Sequence, residues 1–255
     1  MRGFARAAFG AVALVALLGA CTTSGTTTAG TPATAINYAA IINAPDRTDT
    51  DRKNDDRREP VKLLAFTGVQ PGWRVLDMAA GAGYSTEIMA RGAAPGGVVF
   101  GQNPPDAPPR VTDAYKARMD HAAMKNVIPD PRPFDAPLPP GAPALDLITF
   151  FFGYHDTTYL PVDRAKMDKV LFDALKPGGY LVIADYAAAP GAGTSVGKTF
   201  HRIDEDFLKK EVEAAGFKLV DEGMFLRNPK DPHDFVIFNS KIPVDIFVVK
   251  FQKAK

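Results

Sequence analysis

Val75-Leu76-Asp77-Met78-Ala79-Ala80-Gly81-Ala82-Gly83-Tyr84-Ser85-Thr86 decides how the rest of the chain is read. An apolar strand ends in an acid, a glycine-bearing turn follows, and a helical pattern begins at Tyr84. Glycine permits a tight turn and removes the side chain that would keep a ligand off the backbone. The helix after it directs free N–H groups into the turn. This order suits a nucleotide-like cofactor. A dinucleotide fingerprint needs a third small residue three places after the second glycine, where this chain has Thr86. It also needs an acid about 20 residues further on, where this chain has the neutral Gln102 and Asn103. The acid here, Asp77, stands before the glycines.

Outward from that turn, strand and helix patterns alternate. Pro60 opens a helix with Val61, Leu64 and Ala65 on one face, and Gly68 and Pro71-Gly72 end it. Tyr84 to Arg91 reads as helix and Val98-Val99-Phe100 as a short strand. Pro104 to Pro109 is a proline-rich loop, and Tyr115 and Met119 share a helix that ends near Met124. Leu147 to Phe152 is a strongly apolar strand. Asp163 caps a helix carrying Met167, Val170, Leu171, Ala174 and Leu175, which Lys176-Pro177-Gly178-Gly179 ends before a strand at Tyr180–Ala184. Ile203, Phe207, Leu208, Val212 and Ala215 share another helix face, and Phe217–Val220 and Phe247–Phe251 are the last strands. Continuous apolar strands alternating with helices predict a largely parallel α/β sheet covered on both faces. The charge-dense segment from Pro45 to Glu59 reads first as a solvated loop. Its sharper reading is a lid over the turn.

Acid first, then small-x-Gly-x-Gly, resembles motif I of the class I S-adenosylmethionine-dependent methyltransferases. Pro71-Gly72 before it, and Ala174-Leu175-Lys176-Pro177-Gly178-Gly179 before a later strand, extend the resemblance from Val61 to the C terminus. Ala79 departs from the pattern, standing where the first glycine usually is. The combination of Gln102-Asn103-Pro104-Pro105, Tyr154-His155-Asp156, His201-Arg202-Ile203-Asp204 and Phe225-Leu226-Arg227-Asn228-Pro229 looks like a subgroup of bacterial methyltransferases. The resemblance implies a Rossmann-like sheet with helices on both faces and a C-terminal antiparallel strand. It implies S-adenosylmethionine as cofactor, held by Asp77, Ala79, Gly81, Gly83 and Tyr84, with Gln102 and Asn103 at the ribose. An amide bonds a hydroxyl without charge assistance, so that ribose contact is expected to be weaker than the acid usual in the family.

In open α/β sheets the ligand lies beyond the carboxyl ends of the strands. His155, Asp156 and Asp185 fall at two such ends. His155 is the candidate base for a hydroxyl or amine nucleophile, with a carboxylate orienting its ring. A metal held by these three is the weaker reading, and no metal is assigned. His201 and Arg202 read equally as a substrate contact or as bonding at a helix start. Arg227 and Asn228 read as substrate contact or loop bracing, and His121 and His233 as surface residues.

Arg2 and Arg6 precede an uncharged apolar run from Ala7 to Ala20. That run is shorter than the roughly 20 residues a spanning helix needs. It has the form of a secretory signal peptide. Leu18-Gly19-Ala20-Cys21 resembles a bacterial lipobox, which implies lipidation of Cys21, the chain's one cysteine. Thr22 follows where an inner-membrane retention signal would have Asp. The expected organisation is a signal peptide over 1–20, a lipidated cysteine and flexible tether over 21–36, and a methyltransferase-like domain over 37–255. The implied location is the bacterial envelope, anchored by lipid, at the outer membrane facing the periplasm. With 255 residues and 46% hydrophobic, the chain has the material for one packed domain. A net charge of +1 gives no signature of a nucleic-acid partner, so a small-molecule substrate is expected.

Two other functions fit the same residues. One is a binding or scaffold lipoprotein of this fold without catalysis, favoured by the missing ribose acid and by an address outside the compartment that makes the cofactor. The other is a nicotinamide-dependent oxidoreductase, against which Thr86 and the absent downstream acid argue.

Overall fold

The computed structural model describes residues 36–254; the expected signal segment, Cys21 and the tether up to residue 35 lie outside the described residues. Among the described residues three helices come first: α1 (Tyr38–Ile42), α2 (Asp49–Arg58) and α3 (Pro60–Thr67). β1 (Arg74–Met78) then runs through the glycine turn into α4 (Tyr84–Ala93), followed by β2 (Val98–Asn103), α5 (Pro109–Arg118), β3 (Val127–Pro131) and β4 (Leu145–Phe151). α6 (Arg164–Ala174), β5 (Leu175–Tyr186), the short α7 (Gly197–Phe200), α8 (Glu205–Ala214), β6 (Lys218–Gly223) and β7 (Ile246–Gln252) complete the order.

The strands form one seven-stranded sheet in the order β3-β2-β1-β4-β5-β7-β6. β1 pairs in parallel with β2 and β4, and β7 is antiparallel to both β5 and β6. This is the expected α/β architecture with its closing antiparallel strand. Side chains alternate between two cores, as a period of two requires. Leu147, Phe151, Val182 and Ala184 pack with Ile88 and Met89 of α4 and Leu64 of α3. Ile148, Phe150, Leu181 and Ile183 pack with Met167 and Leu171 of α6 and Leu208 and Val212 of α8. Chain order reverses between β1 and β4, so the crevice beyond their carboxyl ends is the switch point where such sheets bind ligands.

Several expectations need correction. The charged stretch is a helix, α2, capped by the Thr48 side chain on Asp51 N, with Arg47 and Asp51 buried. β3 went unread because Pro129 and Pro131 interrupt its pattern, which an edge strand tolerates. Helix α6 stops at Ala174, and Leu175 already pairs with Leu145. The next pairing is Leu147 with Tyr180, so Lys176–Gly179 is a bulge within β5. Asp163 and Asp204 cap α6 and α8 with their side chains. Ile203 precedes α8 and pairs by an isolated bridge with Ala187.

Candidate active site

The turn after β1 is built from left-handed residues: Ala79 at φ 51°, Gly81 at 57° and Gly83 at 82°. Ala79 is the costly member, because its methyl group disfavours this region while glycine does not. A side chain at Gly83 would lie 2.8 Å from Arg118 Cδ, so close packing as well as backbone conformation requires glycine there. No side chain caps α4, which leaves its first N–H groups for a ligand in the turn. The would-be Cβ of Gly153 lies 2.8 Å from Ala79 Cβ, so the turn touches the end of β4.

Asp77 is fully buried and accepts three hydroxyl donors. Ser85 Oγ and Thr86 Oγ1 donate to one oxygen at 2.9 and 2.6 Å, and Thr149 Oγ1 donates to the other at 2.7 Å. Burial pushes its pKa up, and the three hydroxyl bonds and the Arg58 charge oppose that. The acid therefore ties β1, α4 and β4 together beneath the turn. With these three bonds Asp77 fixes the turn that it was expected to share with a cofactor.

Gln102 and Asn103 are spent on the turn as well. Gln102 is buried; its Oε1 accepts from Ala79 N at 2.9 Å and its Nε2 donates to Arg132 O at 2.6 Å. Asn103 Oδ1 accepts from Gly81 N at 2.9 Å, and its Nδ2 donates to Gly81 O at 3.0 Å. Gln102, expected at the ribose, spends its amide oxygen and one amide N–H inside the protein and shapes the turn from behind. Asn103 is partly exposed but also brackets Gly81 with both amide atoms. The next strand end supplies an acid that the sequence reading missed. Asp130 of β3 is paired in register with Gln102. One of its oxygens binds Arg132 Nε at 2.9 Å, while the other is buried with no partner among the described residues. Burial raises its pKa against the pull of Arg132.

Helix α2 lies over the turn, held by charge. Arg118 of α5 donates to both oxygens of Asp51 at 2.7 and 2.9 Å, to Glu87 at 2.7 Å and to the carbonyl of Ala82 at 2.8 Å. Arg47 forks onto Asp55 at 2.6 and 2.8 Å, and the Tyr84 hydroxyl donates to the same carboxylate at 2.5 Å. His121, expected at the surface, is half-buried against Glu87 at 2.9 Å. Arg58 ends the helix differently. Its guanidinium carbon stands 4.7 Å from the Tyr84 ring centre and 4.8 Å from that of Phe152, with no hydrogen bond or ion pair to a described residue. Burial pulls its pKa down, against which Tyr186, Tyr84 and Asp77 hold the charge. This cation waits between the glycine turn and the end of β4, and Tyr84 is placed beside it.

At the end of β4, Phe152 takes φ 61° and Tyr154–Thr158 form a single turn of 3-10 helix. His155, Asp156 and Asp185 come together as expected. Asp185 Oδ1 lies 2.8 Å from His155 Nδ1, and its other oxygen accepts the His155 backbone N–H at 2.8 Å. His155 Nε2 lies 3.1 Å from Asp156 Oδ1. Burial works against charge on this ring, but the Asp185 carboxylate and the bonds to both acids outweigh it, and the pKa rises to about 10. Both ring nitrogens face carboxylates, so Nε2 acts as a base or a ligand only once it gives up the proton it shares with Asp156. Asp185, fully buried, orients the ring. Asp156 keeps 34% of its side chain exposed; burial would raise its pKa, but the bond and charge of His155 hold it below the carboxylate range. His201 joins this group unforeseen, its Nδ1 3.7 Å from Asp156 Oδ1.

The remaining candidates brace loops. Arg202 is fully buried, forking onto Asp231 at 2.9 and 3.2 Å and donating to Ala187 O at 2.8 Å. Arg227 pairs with Glu205 at 3.0 Å, the Asn228 backbone N–H donates to Asp245 at 2.7 Å, and His233, not a free surface residue, lies 3.1 Å from Asp245.

Comparison with known proteins bears on this arrangement. A solved S-adenosylmethionine-dependent methyltransferase from Aquifex aeolicus superposes with a TM-score of 0.57, over 81% of this chain and 99% of that one, at 19% identity. The fold is that of the class I methyltransferases. An S-adenosylmethionine-dependent O-methyltransferase from Thermotoga maritima agrees, with a TM-score of 0.52 over 86% of this chain and 71% of that one, at 15% identity. In sequence, the chain is 30% identical over 127 residues to the ubiquinone/menaquinone biosynthesis C-methyltransferase UbiE of Burkholderia multivorans. That match covers 49% of this chain, and the chain spans about half of that relative's length, 47%. No family model matches the chain. Among the described residues, no helix is long and apolar enough to cross a membrane.

Proposed function

We propose that the chain is an S-adenosylmethionine-dependent methyltransferase acting on an oxygen or nitrogen nucleophile of a small molecule or envelope component. The observation that carries this reading is Arg58, a cation with no ion-pair partner among the described residues, held between Tyr84 and Phe152 over a glycine turn at the switch point of a methyltransferase sheet. The residues fit the cofactor. Arg58 offers a charged donor to its carboxylate, the backbone of Ala79 to Gly83 offers a surface without side chains, and the unpartnered oxygen of Asp130 offers an acceptor for an amine. The cofactor, when bound, supplies a sulfonium methyl group for in-line displacement. The protein's own contribution is positioning. Asp77 fixes the turn, Gln102 and Asn103 shape it, and α2 shuts out water through Asp51 and Arg118. His155 holds Asp156 at the acceptor side as a fixed, ionised acid.

The proposed location rests on the resemblance of the N-terminal segment to a lipoprotein signal. Lipidation of Cys21 would anchor the enzyme to the envelope, at the outer membrane facing the periplasm, rather than span the bilayer. A second reading, a binding or scaffold protein without turnover, draws support from the strand end at Gln102 and Asn103, where no acid is free to grip a ribose.

Calorimetric titration of the full chain with S-adenosylmethionine and its demethylated product tests the proposal. Both should bind, and Arg58→Ala should weaken binding roughly tenfold or more, the worth of a charge-assisted hydrogen bond. Binding unchanged in Arg58→Ala would sink the site assignment, and no binding to wild type would sink the proposal.

A further inference from the structure

We propose that His155, His201 and Asp156 form a binding site for a divalent first-row transition metal of the zinc type. His155 Nε2 and His201 Nδ1 lie 3.1 and 3.7 Å from the same carboxylate oxygen, Asp156 Oδ1, and the three ligand atoms are all within 4.8 Å of one another. Donors each about 2.1 Å from an ion, at tetrahedral or right angles, stand about 3.0–3.4 Å apart. The two distances to Asp156 Oδ1 are within a few tenths of an ångström of that range, and the two imidazole donors lie within 4.8 Å of each other. Two imidazoles and one carboxylate suit zinc or iron(II), and they disfavour magnesium and calcium, which prefer oxygen ligands.

Four features of the surroundings and backbone prepare the site. The Asp185 carboxylate takes Nδ1 of His155 and directs Nε2 at Asp156, the arrangement that orients metal-binding histidines. The Tyr159 hydroxyl donates to Asp156. His201 is held in a left-handed conformation, φ 55°, with its neighbour Arg202 locked to Asp231. Such a conformation in a non-glycine residue persists only where the surroundings enforce it. Gly197 contributes as well: a Cβ there would lie 2.0 Å from Thr158 Oγ1, so its absence lets the helix ending at His201 close on the turn bearing His155.

Asp156 and His201 keep 34% and 26% of their side chains exposed, which leaves coordination positions open to water or substrate. The site is also next to the cofactor crevice. Tyr186 packs 5.9 Å from the His155 ring and 5.5 Å from Phe152, which carries Arg58 on its face. The metal's use in catalysis rests on the methyl-transfer reading; the metal site itself does not. An acceptor hydroxyl bound to the metal would release its proton to solvent. Its oxygen lone pair would then form the bond to the methyl carbon as the carbon–sulfur pair returns to sulfur. The acceptor class this fits is an oxygen nucleophile able to bind a metal.

The test is a zinc titration of the untagged, chelator-treated full chain by calorimetry, with magnesium alongside. Zinc should bind saturably and raise the melting temperature, and magnesium should do neither. His201→Ala and Asp156→Asn should each abolish saturable zinc binding. Asp185→Asn should weaken it 10–100-fold, as loss of an orienting partner does, while His233→Ala should leave it intact. His201 is partly exposed, so that variant should still melt cooperatively; if one ligand variant fails to fold, the other decides. No saturable zinc binding, or binding that survives the loss of His201, overturns the proposal. Zinc binding without S-adenosylmethionine binding would leave this site standing and remove the methyl-transfer reading; the opposite pattern would remove the metal site alone.

Discussion

Replacing Gly83 by alanine should destabilise the protein more than replacing Gly81, and the difference should depend on Arg118. Both glycines are left-handed, at φ 82° and 57°. An L-residue in that region costs about 1–2 kcal/mol, and reduced freedom of the unfolded chain returns about 0.4–1 kcal/mol. At Gly81 nothing but a carbonyl oxygen at 3.9 Å is near, so Gly81→Ala should lose about 0–1.5 kcal/mol on those figures. At Gly83 the new methyl would lie 2.8 Å from Arg118 Cδ and 3.2 Å from the Tyr115 ring. Arg118 cannot yield freely, since its guanidinium is bonded to Asp51, Glu87 and Ala82 O. Overpacking of this kind adds about 1–3 kcal/mol. At about 2–4 °C per kcal/mol for a domain of this size, Gly83→Ala should melt roughly 2–12 °C below Gly81→Ala. Melting followed by circular dichroism measures this. In an Arg118→Ala background the gap should shrink, leaving only the Tyr115 contact. Equal losses for the two glycines, or a gap indifferent to Arg118, would refute the packing argument.

Asp168 provides a pH test far from the turn. It is buried, receives the Tyr154 hydroxyl at 2.8 Å, and neighbours Glu211; burial lifts its pKa to about 7. A carboxyl whose folded pKa exceeds its unfolded value stabilises fully below the unfolded value of about 3.9, and that stability is lost as pH rises through the folded one. Asp168→Asn should therefore gain melting temperature relative to wild type between pH 5 and pH 8, and a difference that stays constant across that range would contradict the assignment. For the anchor, Cys21→Ala should move the chain from the membrane fraction to the soluble fraction of cells, and an unchanged distribution would remove Cys21 from the account.

What the sequence made legible was local. The acid-to-helix turn, the apolar strands and the cap at Asp163 depend on neighbours a few residues apart, so spacing alone reveals them. What it hid depends on distant partners. Helix α2 has almost no apolar face; it exists because Asp51 meets Arg118, 67 residues away. The orientation of the His155 ring is set by Asp185, 30 residues on. Gln102 and Asn103 were placed at the right strand end, but their side chains turn back onto Ala79 and Gly81, a direction that a sequence pattern does not contain. His201 stood out in the sequence, but not beside Asp156: only the fold of α7 against the turn after β4 brings the two together.

Hydrogen–deuterium exchange of the full chain, with and without saturating S-adenosylhomocysteine, tests the central claim most directly. Ligand in the glycine turn under α2 should slow exchange across residues 79–86 and 49–58 and leave the edge strand β6 unchanged. Unaltered exchange at the turn, or protection confined to another part of the sheet, would contradict the account.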